Sequence, residues 1–420
     1  MKLQVVPMVV AALLTGCGAT SVTSPPAAST GSPAGHPPSS TPLPASPATT
    51  ASSTPGADTD AVRFTWSEVE FDGRVAAAAG DGARFVAVGS GSDGAASWTS
   101  TDGMHWEEQN VPEVSFGDID VGVELTAGMG KLIRLGDTLY SFGGTQFMDA
   151  VLPTAWRWTD GGTWEVIESE SEFFLGSVTS VTASDEALLA VTTSFSGGLR
   201  GTVSTWLWTA ADSWVKTGLA SSPEEDISVH DVAWNDDAYI AVGEVAESQQ
   251  GSGPDAWPRA PSIWRSANGR DWTATQLPES ASSVCSVTPL PTGGFVALGR
   301  TGDGAASWTS IDGGDWVEGT IGLPGGPGVR ADEQGATPCN VVAFDGGLLA
   351  SAPVEGATLT WTSRDGGNWS FDQRLDVFGV HATKMAAVGD HVFLFGNRVD
   401  PEGESGFRDV LLRGRGSPAT

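Results

Sequence analysis

The chain has 420 residues and is strongly acidic, with 21 lysines and arginines against 51 aspartates and glutamates and a formal net charge of −30. Nucleic acids and anionic lipid surfaces are bound through basic patches, so this balance argues against both as direct partners. Length alone would allow two or three domains, but a tandem repeat overrides that estimate.

The N-terminus predicts an export signal followed by a lipid anchor. Residues 1–16 contain one charge, Lys2, and a short apolar core that could not span a bilayer by itself. The next residues, Leu14-Thr15-Gly16-Cys17, resemble the lipobox of bacterial lipoproteins. This resemblance implies that Cys17 is diacylated and becomes the mature N-terminus. We therefore expect a protein anchored by lipid to the cell membrane, on its extracytoplasmic face.

Residues 17–62 consist mainly of Ser, Thr, Pro, Ala and Gly, with almost no large apolar side chain. Such a segment cannot bury enough surface to offset the entropy of ordering. It predicts a disordered tether that spans on the order of 35–40 Å as a coil. The folded domain is expected over residues 63–418.

Six repeats share a tryptophan followed by a second tryptophan eight residues later, usually with Asp-Gly or Asn-Gly between them. The pairs are Trp98/Trp106, Trp156/Trp164, Trp206/Trp214, Trp264/Trp272, Trp308/Trp316 and Trp361/Trp369. Strand-like runs such as Phe85-Val-Ala-Val-Gly89 precede the pairs, and each run follows a small turn and another apolar run. Four short strands recurring at this period are typical of β-propeller blades.

A seventh blade is predicted to be split between the two ends of the domain. Residues 381–414 supply inner strands without a tryptophan pair, and residues 64–69 supply the missing outer strand. This closure leaves no open sheet edge. The sequence therefore predicts an all-β, seven-bladed propeller of four-stranded antiparallel blades.

The spacing within each pair suggests a clasp, by which we mean two tryptophans that contact each other across a hairpin. In the first repeat we expect a three-residue hairpin loop over 101–103, with Trp98 facing Trp106 on one side of the hairpin. Asp102 would accept hydrogen bonds from backbone amides of the turn.

The last repeat, Ser363-Arg-Asp365-Gly366-Gly-Asn-Trp369, resembles the Asp-box of BNR-type propellers but is one residue shorter. That group includes sialidases, whose chemistry implies a tyrosine nucleophile, nearby acids and three arginines. The two tyrosines, Tyr140 and Tyr239, fall at core positions of strands, and the arginine motif is not found. We therefore reject sialidase activity.

Connections on the two faces of the propeller are predicted to differ. Turns on one face are uniformly tight, whereas the other face carries longer segments, at 107–125, 143–154, 166–177, 243–262, 318–337 and 396–409. Loops on a rigid scaffold often carry recognition, so a ligand site is predicted on this loop face. The alternative is that these loops have no function and are long only because their sequences are unconstrained.

Five residues on the loop face are candidates for ligand binding. Trp257 has no place in the repeat, so it either packs its own loop or offers a stacking platform. Asp118, Asp120, Glu224 and Glu225 either form a solvated acidic surface or bind a hard cation such as calcium. Their spacing matches no calcium loop, so no cofactor is predicted.

Cys285 and Cys339 occupy nearly equivalent places in the first strands of blades 5 and 6. In an oxidising compartment they predict a disulfide that fastens these blades near the loop face.

The sequence favours a monomeric, membrane-anchored lipoprotein whose propeller acts as a binding or scaffolding module for an extracellular protein or glycan. The alternative is a carbohydrate-active hydrolase or lyase of cell-surface glycans. The tether would enter on the tight-turn face, which leaves the loop face directed outward.

Overall fold

The computed structural model describes residues 62–91, 94–114, 128–147, 150–159, 162–167, 177–195, 201–209, 213–219, 225–247, 259–325, 329–376, 381–399 and 407–418. The predicted signal peptide, Cys17 and nearly all of the predicted tether lie outside these residues. In the described part of the chain, no helix has the length and hydropathy needed to cross a membrane.

Nearly all of the described chain is β-structure, and its strands form seven antiparallel blades. The strands in chain order are β1 (Val62–Val69); in blade 1, β2 (Arg74–Gly80), β3 (Phe85–Gly91), β4 (Gly94–Ser100) and β5 (Glu107–Gln109); in blade 2, β6 (Gly128–Leu135), β7 (Thr138–Phe147), β8 (Ala150–Trp158) and β9 (Trp164–Ile167); in blade 3, β10 (Ser177–Ala183), β11 (Ala187–Phe195), β12 (Gly201–Thr209) and β13 (Ser213–Thr217); in blade 4, β14 (Glu225–Asn235), β15 (Ala238–Glu247), β16 (Arg259–Ser266) and β17 (Thr273–Thr275); in blade 5, β18 (Ala281–Pro289), β19 (Phe295–Thr301), β20 (Gly304–Ser310) and β21 (Val317–Glu318); then β22 (Thr320–Ile321); in blade 6, β23 (Asn340–Phe344), β24 (Gly347–Val354), β25 (Ala357–Ser363) and β26 (Asn368–Leu375); and in blade 7, β27 (His381–Val388), β28 (His391–Val399) and β29 (Phe407–Pro418).

The first strand of each blade contacts the first strand of the next, and β27 contacts β2, so the seven blades close into a ring. We letter the strands of each blade A to D from the axis outward. The split seventh blade is confirmed: β1 is its outer strand and pairs with β29 from Val62↔Pro418 to Val69↔Leu411. The all-β, seven-bladed propeller predicted from the repeats is therefore correct. One addition was not predicted: β22 adds a short parallel strand to the outer edge of blade 6.

Strand A carries a β-bulge in most blades, and the bulge explains a glycine of the repeat. In blade 1 the bulge falls between Val75 and Ala77. It pushes strand A so close to strand B that a Cβ on Gly89 would overlap the carbonyl oxygen of Arg74. Gly143 and Gly243 meet the equivalent carbonyl oxygens in blades 2 and 4. The glycine that ends the Phe-Val-Ala-Val-Gly run therefore permits the bulge.

The predicted clasp between paired tryptophans is wrong in register. Trp98 lies opposite Glu108, not Trp106, because the loop spans six residues, 101–106, instead of three. The hydroxyl oxygen of Ser100 accepts a hydrogen bond from the Gly103 amide at 2.8 Å, which opens this wider loop.

The aspartate of the loop does act as predicted. One carboxylate oxygen of Asp102 accepts hydrogen bonds from the amides of Met104 and His105, at 2.8 and 2.9 Å. The same pattern recurs around Asn268 in blade 4 and Asp365 in blade 6.

The second tryptophan of these loops packs between blades. The Trp106 indole N–H donates to the Gly103 carbonyl oxygen, and the ring lies edge-on to Phe393 of blade 7 at 5.8 Å. Trp369 likewise belongs to an apolar cluster shared by blades 5 and 6. In these loops the second tryptophan packs against the preceding blade. The repeated eight-residue spacing therefore serves packing between blades.

Facing tryptophans do occur in blades 2 and 3, but six residues apart. Trp158 lies opposite Trp164 with ring centroids 5.1 Å apart, and Trp208 lies opposite Trp214 at 6.3 Å. In both blades a tryptophan replaces the serine that opens the loop elsewhere. Loss of that serine leaves a shorter hairpin, and the facing pair follows.

The predicted contrast between the two faces is partly correct. On the face of the tight turns, no A–B or C–D connection exceeds six residues. On the loop face, the connections 110–127 and 322–339 are much longer. The predicted loop 143–154 is wrong, because β7 and β8 pair as far as Phe147↔Ala150. Much of 243–262 is also strand, since β15 runs to Glu247 and β16 begins at Arg259.

Candidate functional site

A channel runs along the propeller axis and is formed by the A strands. Its inner part has a volume of about 410 Å³ and is lined by residues of all seven blades. A second cavity of about 350 Å³ lies at Gly128 and Ser177, the first residues of β6 and β10. Strand A begins on the loop face, so this cavity is the mouth of the channel on that face. Lys131 and Lys384 line both cavities.

One position of strand A contributes a side chain to the channel from every blade. In six blades it is the residue immediately after the bulge. In blade 6, whose described pairing has no bulge, it is Asn340, which pairs with the equivalent residue of strand B, Ser351. We call this set the inner ring: Ala77, Lys131, Ser180, Asp231, Ser286, Asn340 and Lys384. The fold accepts small, polar, acidic and basic side chains at this position, so the packing of the blades does not dictate which residue stands there.

Asp231 ties three neighbouring blades together. One carboxylate oxygen accepts hydrogen bonds from the Ser180 hydroxyl and from the Val232 amide, both at 2.9 Å. The other accepts from the Val287 amide of blade 5 at 3.1 Å. Burial raises the pKa of Asp231, while these bonds and the charge of Lys131 oppose the rise. With three donors on its oxygens, Asp231 serves as a link between blades.

Lys131 and Lys384 differ from Asp231 because no described residue bonds directly to their charged groups. Both are half-buried, and neither ammonium makes a hydrogen bond or an ion pair with a residue that the structure describes. Burial lowers the pKa of Lys131, and the charge of Asp231 opposes this. Burial, together with the charges of Lys131 and Arg74, lowers the pKa of Lys384 to about 8. These lysines remain available to an anionic group entering the channel.

The predicted disulfide is present and lies beside the inner ring. Cys285 and Cys339 are bonded, with their Cα atoms 5.4 Å apart. Each cysteine directly precedes an inner-ring residue, Ser286 and Asn340 respectively, so the bond joins equivalent points of blades 5 and 6. It therefore reinforces the wall of the channel on this side.

A larger cavity, of about 990 Å³, lies on the face of the tight turns between blades 4, 5 and 6. Its lining is acidic and includes Asp236, Asp312 and Asp365, with Ile311 exposed to 89% at its rim. Although partial burial raises the pKa of Asp365, hydrogen bonds from Asn368 and Gly367 bring it below the usual value. That carboxylate therefore supports its own loop. Within the described ranges, no group of three His, Cys, Asp or Glu side chains could hold a metal ion.

Most of the predicted site residues cannot be placed. Cys17, Asp118, Asp120, Glu224 and Trp257 lie outside the described residues. Glu225 is the first residue of β14, where its backbone pairs with Glu247 on the loop face, so it belongs to a strand and not to a loop.

The sequence interpretation missed the two inner-ring lysines, although a signal existed. The chain contains only four lysines. Two of them, Lys131 and Lys384, lie within apolar strand-A segments, where Ala, Ser or Val would be the expected residue. Aligning the blades on strand A, and not only on the tryptophans, would have placed both at one position.

Comparison with known proteins identifies the fold but no family. No protein-family model matches the chain, and no curated protein matches it by sequence. The structure of YCF48 bound to a D1 peptide is similar in fold, with a TM-score of 0.51 and 16% identity over 84% of this chain and 94% of that chain.

A virginiamycin B lyase from Staphylococcus aureus, solved with quinupristin, matches with a TM-score of 0.51 and 12% identity over 84% of this chain and 99% of the lyase. A Trypanosoma rangeli sialidase with sialic acid matches less well, with a TM-score of 0.42 and 13% identity over 83% of this chain and 58% of the sialidase. At these identities the matches to YCF48 and to the lyase, both with TM-scores above 0.5, show a shared propeller fold and nothing finer.

Proposed function

We propose that the protein is a membrane-anchored, extracytoplasmic binding or scaffolding module that takes a protein or glycan ligand on its loop face. The observation that carries this proposal is the asymmetry of the channel. Its mouth opens on the face with the long connections and exposes two lysines without partners among the described residues. The opposite face has only short turns, and carboxylates such as Asp102 and Asp365 accept hydrogen bonds from amides of their own loops.

The fold neighbours agree with a binding role but do not select one. One similar propeller was solved with a peptide and another, a lyase, with quinupristin. A propeller can therefore present a binding surface or a catalytic one, and residues at the site decide between them.

The alternative, a carbohydrate-active hydrolase or lyase, receives less support. Hydrolysis of a glycosidic bond commonly needs two carboxyl groups facing the scissile bond. Among the described residues that line the channel, Asp231 is the one carboxylate, and its oxygens accept three hydrogen bonds.

The anchor at Cys17 and the tether belong to the same proposal. Strand D runs from the face of the tight turns to the loop face, and β1 is the outer strand of blade 7. Val62 therefore lies on the turn face, so a tether ending there would leave the loop face free for a partner. The Cys17→Ser chain should leave the membrane fraction and appear as a soluble monomer.

The test uses the full chain carrying Cys17→Ser, screened against glycan and peptide arrays and assayed for glycan cleavage. Ser177→Trp adds bulk at the channel mouth, and Asp236→Trp is the matched control on the turn face. We expect a ligand whose binding is lost with Ser177→Trp and kept with Asp236→Trp. Loss with the control alone would contradict the proposal, and catalytic turnover of a glycan would favour the hydrolase.

A further inference from the structure

We propose that the channel mouth is an oxyanion site, in which Lys131 and Lys384, with Arg74 at the rim, hold a carboxylate or phosphate group. This inference rests on the proposed binding function and specifies the chemistry of its ligand. The ligand is either a free small anion or the anionic terminal group of a larger molecule.

The two lysines face the same space from ring positions that are one blade apart. Lys131 belongs to blade 2 and Lys384 to blade 7, so blade 1 alone separates them. Blade 1 contributes alanines to the channel wall at 76–78. The small side chains leave room between the lysines, and both lysines line the inner cavity as well as the mouth. A compact group with several oxygens could accept hydrogen bonds from both ammoniums.

Arg74 adds a third positive charge at the rim. It is the exposed first residue of β2, three residues before the inner-ring Ala77 on the same strand. The charges of Arg74 and Lys131 both act on Lys384. The nearby carboxylate of Asp409, on strand C of blade 7, is exposed and is influenced by Arg74. Asp231 faces Lys131 from blade 4, but its oxygens already accept three hydrogen bonds.

The fold has no structural need for these lysines. The same ring position holds alanine in blade 1 and serine in blades 3 and 5. Bringing two like charges together in a partly buried place, where the charge of Asp231 offsets only part of the cost for Lys131, opposes folding. In a chain with a net charge of −30 and only four lysines, two lysines at equivalent channel positions are best explained by an anion that binds between them.

The test is an NMR titration of the full chain carrying Cys17→Ser, labelled with ¹³C at the lysine ε-carbons. Inorganic phosphate and acetate are titrated separately, at constant ionic strength maintained with chloride. We expect saturable shifts of the Lys131 and Lys384 signals with at least one anion. Lys216, which is exposed on β13 of blade 3, provides the control within the same molecule.

Variants then separate this inference from the proposed function. Lys131→Met and Lys384→Met should each weaken anion binding at least tenfold, Lys384→Arg should retain most of it, and Lys216→Met should leave it unchanged. Linear shifts without saturation, or equal shifts at Lys216, would overturn the oxyanion site. If a loop-face ligand binds equally well to both methionine variants, the oxyanion site fails while the binding function stands. If Ser177→Trp also leaves that ligand bound, the binding function fails as well.

Discussion

The turn face and the channel are stabilised mainly by different kinds of bond. On the turn face, most side-chain hydrogen bonds stay within a few residues of one chain segment, as those of Asp365 with Gly367 and Asn368 do, although Arg265 also donates to the Asp312 carbonyl oxygen of the next blade. Around the channel, bonds join residues more than fifty positions apart, as Asp231 does with Ser180 and Val287. Local bonds shape each blade, whereas distant bonds fasten one blade to the next.

The charged groups differ in the same way. Carboxylates of the turn face accept hydrogen bonds from their own loops, which lower the pKa of Asp365. The channel contains lysines whose pKa values are lowered by burial. Carboxylate charge on the turn face therefore supports the fold, while the lysine charges in the channel oppose it. A costly charge that is retained is a reason to expect a function there.

Removal of the disulfide should produce the largest loss of stability. Cys285 and Cys339 are 54 residues apart, and closure of a loop of this length corresponds to about 4 kcal/mol at 25 °C. The Cys285→Ser/Cys339→Ser double variant should lose about 2–4 kcal/mol in urea unfolding. Wild type in reductant is the control and should behave like the variant. An unchanged midpoint in both would mean that the link between blades 5 and 6 is dispensable.

Asp231→Ala should cost nearly as much. The change leaves the Ser180 hydroxyl and the Val232 and Val287 amides without their acceptor deep in the channel, at about 3 kcal/mol. The matched change on the turn face, Asp365→Ala, removes an acceptor that water can replace, at about 1 kcal/mol. Thermal unfolding of both variants measures the difference. Equal losses would remove the distinction between distant and local bonds.

Lys384→Met should act in the opposite direction and stabilise the protein, by about 1–3 kcal/mol near neutral pH. Below pH 8, Lys384 is protonated in both the folded and the unfolded state, and its burial penalises the folded one. Between pH 8 and its ordinary pKa of 10.5, the folded protein has lost the proton and the unfolded chain has not. Wild-type stability therefore rises through this window, and the advantage of the variant shrinks.

Urea unfolding at pH 7 and pH 10 measures this effect. A gain that is independent of pH would indicate better apolar packing and not the removal of a buried charge. Lys216→Met, at an exposed position, is the control: it should give no stabilisation, and loss of the contact between the Lys216 ammonium and the Trp206 ring should cost about 0.5–1 kcal/mol at pH 7.

Gly366→Ala should destabilise the protein by about 1–2 kcal/mol, less than loss of the disulfide or of Asp231. Gly366 has φ +74°, and an added Cβ would lie 2.9 Å from Leu290 and 3.0 Å from Val296 of blade 5. Gly136→Ala is a matched control, since its φ is +59° and a Cβ there would meet no atom within 4 Å. The excess loss at Gly366 over Gly136, read from thermal midpoints, isolates the contact between blades.

Local patterns in the sequence were sufficient for the blades and for their closure. Alternation of residues, turn glycines and the tryptophan period predicted the strands, the split seventh blade and the disulfide partners. The loop register was predicted wrongly because it depends on the Ser100 hydroxyl reaching the Gly103 amide and on Trp106 finding its partner in another blade. The rules that relate loop length to register in an isolated hairpin do not include a serine side chain that bonds to the loop or a contact with another blade.

The candidate site was harder to predict for the same reason. Lys131 and Lys384 are separated by most of the domain, and only closure of the ring brings them to either side of blade 1. Recognising them requires the bulge, since it decides which strand-A residue lines the channel. In the sequence Asp231 is one of 51 acidic residues and nothing distinguishes it from the others. The structure distinguishes it by the three hydrogen bonds that its carboxylate accepts.

The pairing of β1 with β29 has a mechanical consequence. The two strands are antiparallel, and their ladder runs from Val62↔Pro418 on the turn face to Val69↔Leu411 on the loop face. A pull at Val62 against a partner held on the loop face would act along the strands, in shear. All hydrogen bonds of the ladder would then share the load, instead of opening one after another as in peeling. The closure that completes the ring is thus also well placed to bear tension.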